Sequence, residues 1–210
     1  MEKQRKIGLV VALALTTALA VLTTSGPADA AARCGGRGIE VKNTRYVRVY
    51  SRVEEFQEKY YYACFVERPR RSLAFHLEEQ FSGKEWIGPP VGPAIRGYFM
   101  AYGETLCADA CTGRVHRLDV RSMRARRIAI GGPTQAVVVR SNGSAAALLA
   151  TGPTPTLAAG PAGFKVVALG SSGAVDQLDA GAGIDPTSLR LSGSTLTWTN
   201  GGQQKSAVLR

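Results

Sequence analysis

Short apolar runs bounded by glycine, serine and asparagine turns recur from residue 45 to residue 209, and no segment carries a long helical apolar period. Residues 45–50 (RYVRVY) alternate, 60–66 (YYYACFV) form an aromatic run of the kind a strand buries, and 73–77 (LAFHL) continue after a turn at Pro69, Arg70 and Arg71. Further strands are expected at 97–103 (GYFMAYG), 115–120 (VHRLDV), 126–130, 136–140 (AVVVR), 144–150, 164–169 (FKVVAL), 174–178, 188–191, 194–199 (STLTWT) and 205–209. Only residues 53–59 have any helical character, and their charge reads as a polar loop. The expected fold class is all-β and antiparallel.

The runs are periodic. Turns at Gly97, Asn142-Gly143 and Ser192-Gly193 each open a strand, and these glycines stand 46 and 50 residues apart. Three strands fall in 45–77, four in 91–130, four in 134–178 and three in 188–209. A period of this size holding up to four strands is the signature of a β-propeller blade, a sheet that buries its faces only by stacking on its neighbours. Three to four propeller-like blades of about 45–50 residues are therefore expected. A closed small propeller, a half-propeller completed by a partner and a β-sandwich remain open as alternatives.

The pairs RVY with YYAC and GYFMAY with VHRLDV, and the stretch SLRLSGSTLTWT, give the chain a resemblance to a known group. Over most of residues 45–210 it resembles exported bacterial proteins with degenerate WD40-like or TolB-like propeller repeats. The WD dipeptide itself is absent; only Val120 follows Asp119 where such a motif would fall. The resemblance implies a binding scaffold and carries over no functional residue.

Residues 1–32 carry an address. Lys3, Arg5 and Lys6 precede an apolar run at 7–22, and Ala28-Asp29-Ala30 offers small residues at the spacing of a cleavage site. Cleavage after Ala30 or Ala32 is expected, with export of one all-β domain over residues 33–210. The apolar run is short for a membrane span, so contact with the membrane is expected only before cleavage. Arg33 stands before Cys34 where a lipid-modified cysteine wants a small residue.

Export makes sense of the cysteines. Cys34, Cys64, Cys107 and Cys111 all follow the cleavage site, and an even count in an oxidising compartment argues for two disulfides. Of the three possible pairings the favoured one joins Cys107 to Cys111, closing a short loop, and Cys34 to Cys64, tying the start of the mature chain to a strong strand; sequence alone leaves the connectivity open. The rival C-x3-C-x4-H metal reading of Cys107, Cys111 and His116 lacks a clear fourth ligand and the usual zinc spacing. No metal or other cofactor is expected.

The formal net charge is +10, and the excess is uneven: residues 31–127 hold 18 Lys or Arg against 11 Asp or Glu, residues 128–210 five against three. The densest run is Arg121, Arg124, Arg126 and Arg127, with Arg114 and Arg117 just before it. Guanidinium forks suit phosphate and carboxylate; the competing reading is a solvated hairpin turn with Ile128 and Ile130 returning to the core. Trp86, flanked by Phe81, Pro89, Pro90 and Pro93, lies on the longest expected loop, either exposed to stack on a sugar or a partner or covering the end of the blade stack. An extracytoplasmic protein or acidic cell-wall polymer is the expected partner, and nucleic acid is not.

Catalytic inventory is thin. His76 and His116 are the only histidines, both in strands where a solvent-facing side chain is the ordinary outcome. G-x-S-x-G, S-x-x-K, H-E-x-x-H, the phosphate-binding G-x-x-x-x-G-K and the calcium loop are all absent. His116 with Asp119 is the best available acid-base pair for a hydrolase of wall glycan or ester. Glu54, Glu55 and Glu58 form one polar cluster rather than carboxylates across a cleft. Asn142-Gly143-Ser144 matches a glycosylation sequon but reads as a hairpin turn in which both central residues take positive φ. The expected function is that of an exported, non-catalytic binding or scaffold protein, with the hydrolase as alternative.

Overall fold

The structure, a computed structural model, describes Cys34 and residues 38–53, 59–68, 72–77, 80–82, 85–88, 90–151 and 162–210. Residues 1–32, where a leader is expected, and Glu54, Glu55 and Glu58 lie outside the described residues. Those described form 17 strands and no helix.

Four antiparallel sheets follow one another along the chain. β1 (Ile39–Asn43), β2 (Val47–Val53), β3 (Lys59–Phe65) and β4 (Ser72–Leu77) pair in that order. The second sheet holds β5 (Gln80–Ser82), β6 (Glu85–Ile87), β7 (Val91–Arg96), β8 (Phe99–Cys107), β9 (Cys111–Asp119) and β10 (Arg124–Ala129). In it β7 lies along residues 99–103 of β8, and β6 along residues 106–107 of the same strand. The third is β11 (Thr134–Val139), β12 (Ala145–Thr151), β13 (Gly163–Leu169) and β14 (Val175–Gly181), and the fourth β15 (Arg190–Ser192), β16 (Thr195–Asn200) and β17 (Gln203–Val208). The chain thus departs from a two-sheet sandwich; the third and fourth sheets hold the expected strands, while β1 extends the first sheet and β5 and β6 the second beyond the expected segments. Trp86 is an outcome apart. It sits in β6, paired with Cys107, because Glu-Trp-Ile next to Gln-Phe-Ser makes a small hairpin where a long loop was expected.

Side-chain alternation explains the packing. Val47, Val49, Ala63 and Phe65 of the first sheet bury against Met100, Tyr102, Leu118 and Val120 of the second. The other face of the second sheet, with Ala101, Val115 and Ile128, meets Val137, Val139, Ala147, Leu149 and Val167 of the third. Ala146, Leu148 and Val166 turn the other way, onto Ile184, Leu189, Leu196, Trp198 and Leu209. β12 reads AAALLAT because both of its faces are buried. Ile128 and Ile130 do return to the core.

Two glycines of the second sheet have no room for a side chain. A Cβ on Gly113 would stand 1.9 Å from the Gly132 carbonyl oxygen, and one on Gly103 would stand 2.3 Å from Thr134 Cγ2. The turn between β11 and β12 differs from the sequence expectation. Arg140 N donates to Ser144 O at 2.8 Å, so three residues form the loop, and only Gly143 takes positive φ (86°). Asn142 instead turns its Oδ1 back to accept from Ser144 N at 3.0 Å.

Both expected disulfides are present. Cys107–Cys111 staples the hairpin from β8 to β9, and Cys34–Cys64 lies on the outer face of the first sheet with Tyr50 and Tyr62.

Candidate functional site

The arginines of the basic run do not form one patch. Strand register divides them: Arg124, Arg126 and Arg117 share the face of Asp119, whereas Arg127 and Arg114 share the face of His116. Arg117 reaches into the third sheet, where NH1 donates to Gly143 O at 2.8 Å and Gly170 O at 3.0 Å and NH2 to Ser171 O at 2.7 Å. Burial, aided by Arg126, lowers its guanidinium pKa from the usual value. Arg126 donates to Ser172 O in the same region. These two arginines act as bolts between sheets. Arg121 lies over the Tyr98 ring at 5.3 Å, and Arg124 is exposed beside the turn.

His116 is buried, contrary to the solvent-facing expectation for a strand histidine. The reason is its row: Tyr102 and Leu118 beside it pack under the first sheet. Its partner is Glu104, at 3.0 Å from Nε2, and not Asp119. Three residues apart on a strand, His116 and Asp119 point to opposite faces. Asp119 accepts from Arg121 N at 3.0 Å and Ser122 Oγ at 2.9 Å and so caps its own turn. Tyr102 stacks on His116 with ring centroids 4.5 Å apart and donates its hydroxyl to Phe75 O. Burial pushes the Tyr102 phenol far above its ordinary pKa, the Glu104 carboxylate adds to the rise and Arg127 opposes it. The phenol therefore stays a neutral donor. Arg114 lies 3.6 Å from Glu104 and completes a packed, charge-matched row. His76 falls in β4 and Trp86 in β6. Cys107 and Cys111 are bonded to each other, which removes both thiolates from the C-x3-C-x4-H set.

A different place collects free surface. A cavity of about 450 Å3 opens where the first strand of the first, third and fourth sheets and β7 of the second converge. Ile95, Val139 and Leu191 give it apolar wall, and Lys42, Arg96 and Arg190 give it charge. No Asp or Glu lines it among the described residues. Lys42 Nζ donates to Pro93 O at 3.1 Å, and Arg190 NH1 donates to Thr187 O at 2.7 Å and Leu189 O at 2.8 Å. All three side chains are exposed.

The sequence reading missed this trio. Each is a lone cation, 54 and 94 residues apart from Lys42 to Arg96 and from Arg96 to Arg190. No sequence signal marks them: Lys42 lies in β1, ahead of the expected strand segments, and Arg96 and Arg190 stand singly in β7 and β15.

No family model matches the chain, and no curated protein matches it.

Proposed function

We propose that the protein is an exported, non-catalytic binding module whose sheets are arranged as successive propeller-like blades and whose ligand site is the cavity at their convergence. One observation carries this reading: a cavity of ligand-binding size is walled by a strand from each of the four sheets. A site assembled from several rigid sheets is preorganised, which favours binding. The two disulfides fit an oxidising, extracytoplasmic compartment. Against catalysis stand the stacked, hydrogen-bonded burial of His116 and the capping duty of Asp119. The partner is an acidic component of the cell surface, drawn by the positive field of the basic first half.

The test is co-sedimentation of the purified protein with isolated cell-envelope material, comparing wild type with Leu191→Trp, which narrows the cavity and leaves charge unchanged. Retention by wild type and its loss in the variant, with the melting profile intact, is the expected result. Equal retention of both would refute the cavity as the site.

A further inference from the structure

Resting on the reading of the cavity as the binding site, we infer that what it takes is a phosphorylated unit of that surface component, a sugar or polyol phosphate, gripped by Lys42, Arg96 and Arg190. The charge on the wall is the first argument. Three cations face one space with no carboxylate among the described lining residues. Two half-buried arginines elsewhere do meet acids, Arg48 with Glu40 at 3.1 Å and Arg114 with Glu104 at 3.6 Å, whereas no acid lines the cavity among the described residues. A doubly charged phosphate matches this excess better than a singly charged carboxylate does.

Geometry adds a second argument. Arg96 makes no hydrogen bond or ion pair with the described residues, so its fork is open to a bidentate contact. The bonds of Arg190 to Thr187 O and Leu189 O both come from NH1, which holds the guanidinium in place while its other donors make no bond to the described residues. Lys42, anchored on Pro93 O, retains two further ammonium protons and supplies a point charge. The volume of about 450 Å3 admits a monosaccharide phosphate, and Ile95, Val139 and Leu191 offer an apolar wall to the carbon skeleton.

The experiment is calorimetric titration of the purified protein with glucose 6-phosphate, inorganic phosphate, glucuronate and glucose, repeated for Arg96→Gln and Arg190→Gln. Glucose 6-phosphate should bind at least tenfold tighter than glucuronate, and glucose should not bind. Each substitution should weaken glucose 6-phosphate at least tenfold, and raising salt from 50 to 300 mM should weaken it several-fold through screening. Because Arg96 has no described partner, its loss should leave the melting profile unchanged. Glucuronate binding as tightly as the phosphate, phosphate binding untouched by either substitution, or no binding of any anion would each overturn the inference. The two failures are separable: envelope retention that Leu191→Trp abolishes but Arg96→Gln and Arg190→Gln spare leaves the cavity as the site and removes only the phosphate.

Discussion

Replacing Arg117 by alanine should separate the second and third sheets more than any other surface-to-small change in the basic run. The side chain makes three charge-assisted bonds to main-chain oxygens on two turns, at 2.7 to 3.0 Å. Bonds to charged donors contribute about 1.5 to 3 kcal/mol each when protected, and much less when solvated. The Gly143 and Gly170 bonds are partly buried and the Ser171 bond is exposed, so the total comes to about 3 kcal/mol at the low end of that range. In a chain of this size that is a fall in Tm of roughly 6 to 12 °C. Arg117→Lys offers one point donor in place of a fork and should recover about a third of the loss. Arg124→Ala, with an exposed side chain beside the turn, is the control and should move stability by less than about 0.5 kcal/mol. Urea unfolding of the oxidised protein, followed by fluorescence and circular dichroism, measures all three. An Arg117→Ala loss no larger than that of Arg124→Ala would refute the bolt.

Other expectations are independent of that one. Removing Cys34–Cys64 by double serine substitution frees a loop of sequence separation 30, against 4 for Cys107–Cys111; chain entropy gives costs of about 4 and about 2 kcal/mol, and equal urea midpoints for the two double variants would contradict it. Gly113→Ala puts a methyl where the Gly132 carbonyl oxygen already stands, so it should cost about 3 kcal/mol or prevent folding, as read from soluble yield and melting; a wild-type melt refutes the close approach. Asp179 accepts from Trp198 Nε1 at 2.7 Å and Asn200 Nδ2 at 3.0 Å, and the Trp198 bond leads in holding its pKa below the usual carboxylate value. A depressed folded pKa means its contribution is complete above the unfolded value, near about 3.9, and is lost as pH falls through the lower folded value. The stability gap between wild type and Asp179→Asn should therefore close in acid, and a gap constant from pH 7 to 2.5 would contradict it.

Strand periodicity carried the sheet boundaries because turn residues punctuate each sheet and alternation survives wherever one face is buried. RYVRVY, GYFMAYG and STLTWT all lie within or overlap strands of the expected sheets. β1 was not legible: all five of its residues are exposed, and IEVKN mixes Glu, Lys and Asn into an edge that packs nothing inside. β5 and β6 are three residues each, below the length at which alternation means anything. The site was harder still. Arg117 and Arg121 look alike in sequence, and only register with Ala101 on the face toward the third sheet makes Arg117 an internal contact. Pairing Glu104 with His116 needs two strands in register, whereas Asp119 was merely nearby in the chain.

The long cations that reach from one sheet to the next share a grammar. Arg117 and Arg126 donate to carbonyls at Gly143, Gly170, Ser171 and Ser172, Arg140 donates to Leu209 O, and Lys42 donates to Pro93 O. Every acceptor is a main-chain oxygen, which any amino acid provides. The receiving turns can thus exchange their side chains over evolutionary time without weakening the joint, provided the backbone keeps its path. Mutational tolerance should be lopsided across each joint, strict at a few long cations and loose at the segments they clasp, which lets sheets joined in this way change in sequence while their stacking persists.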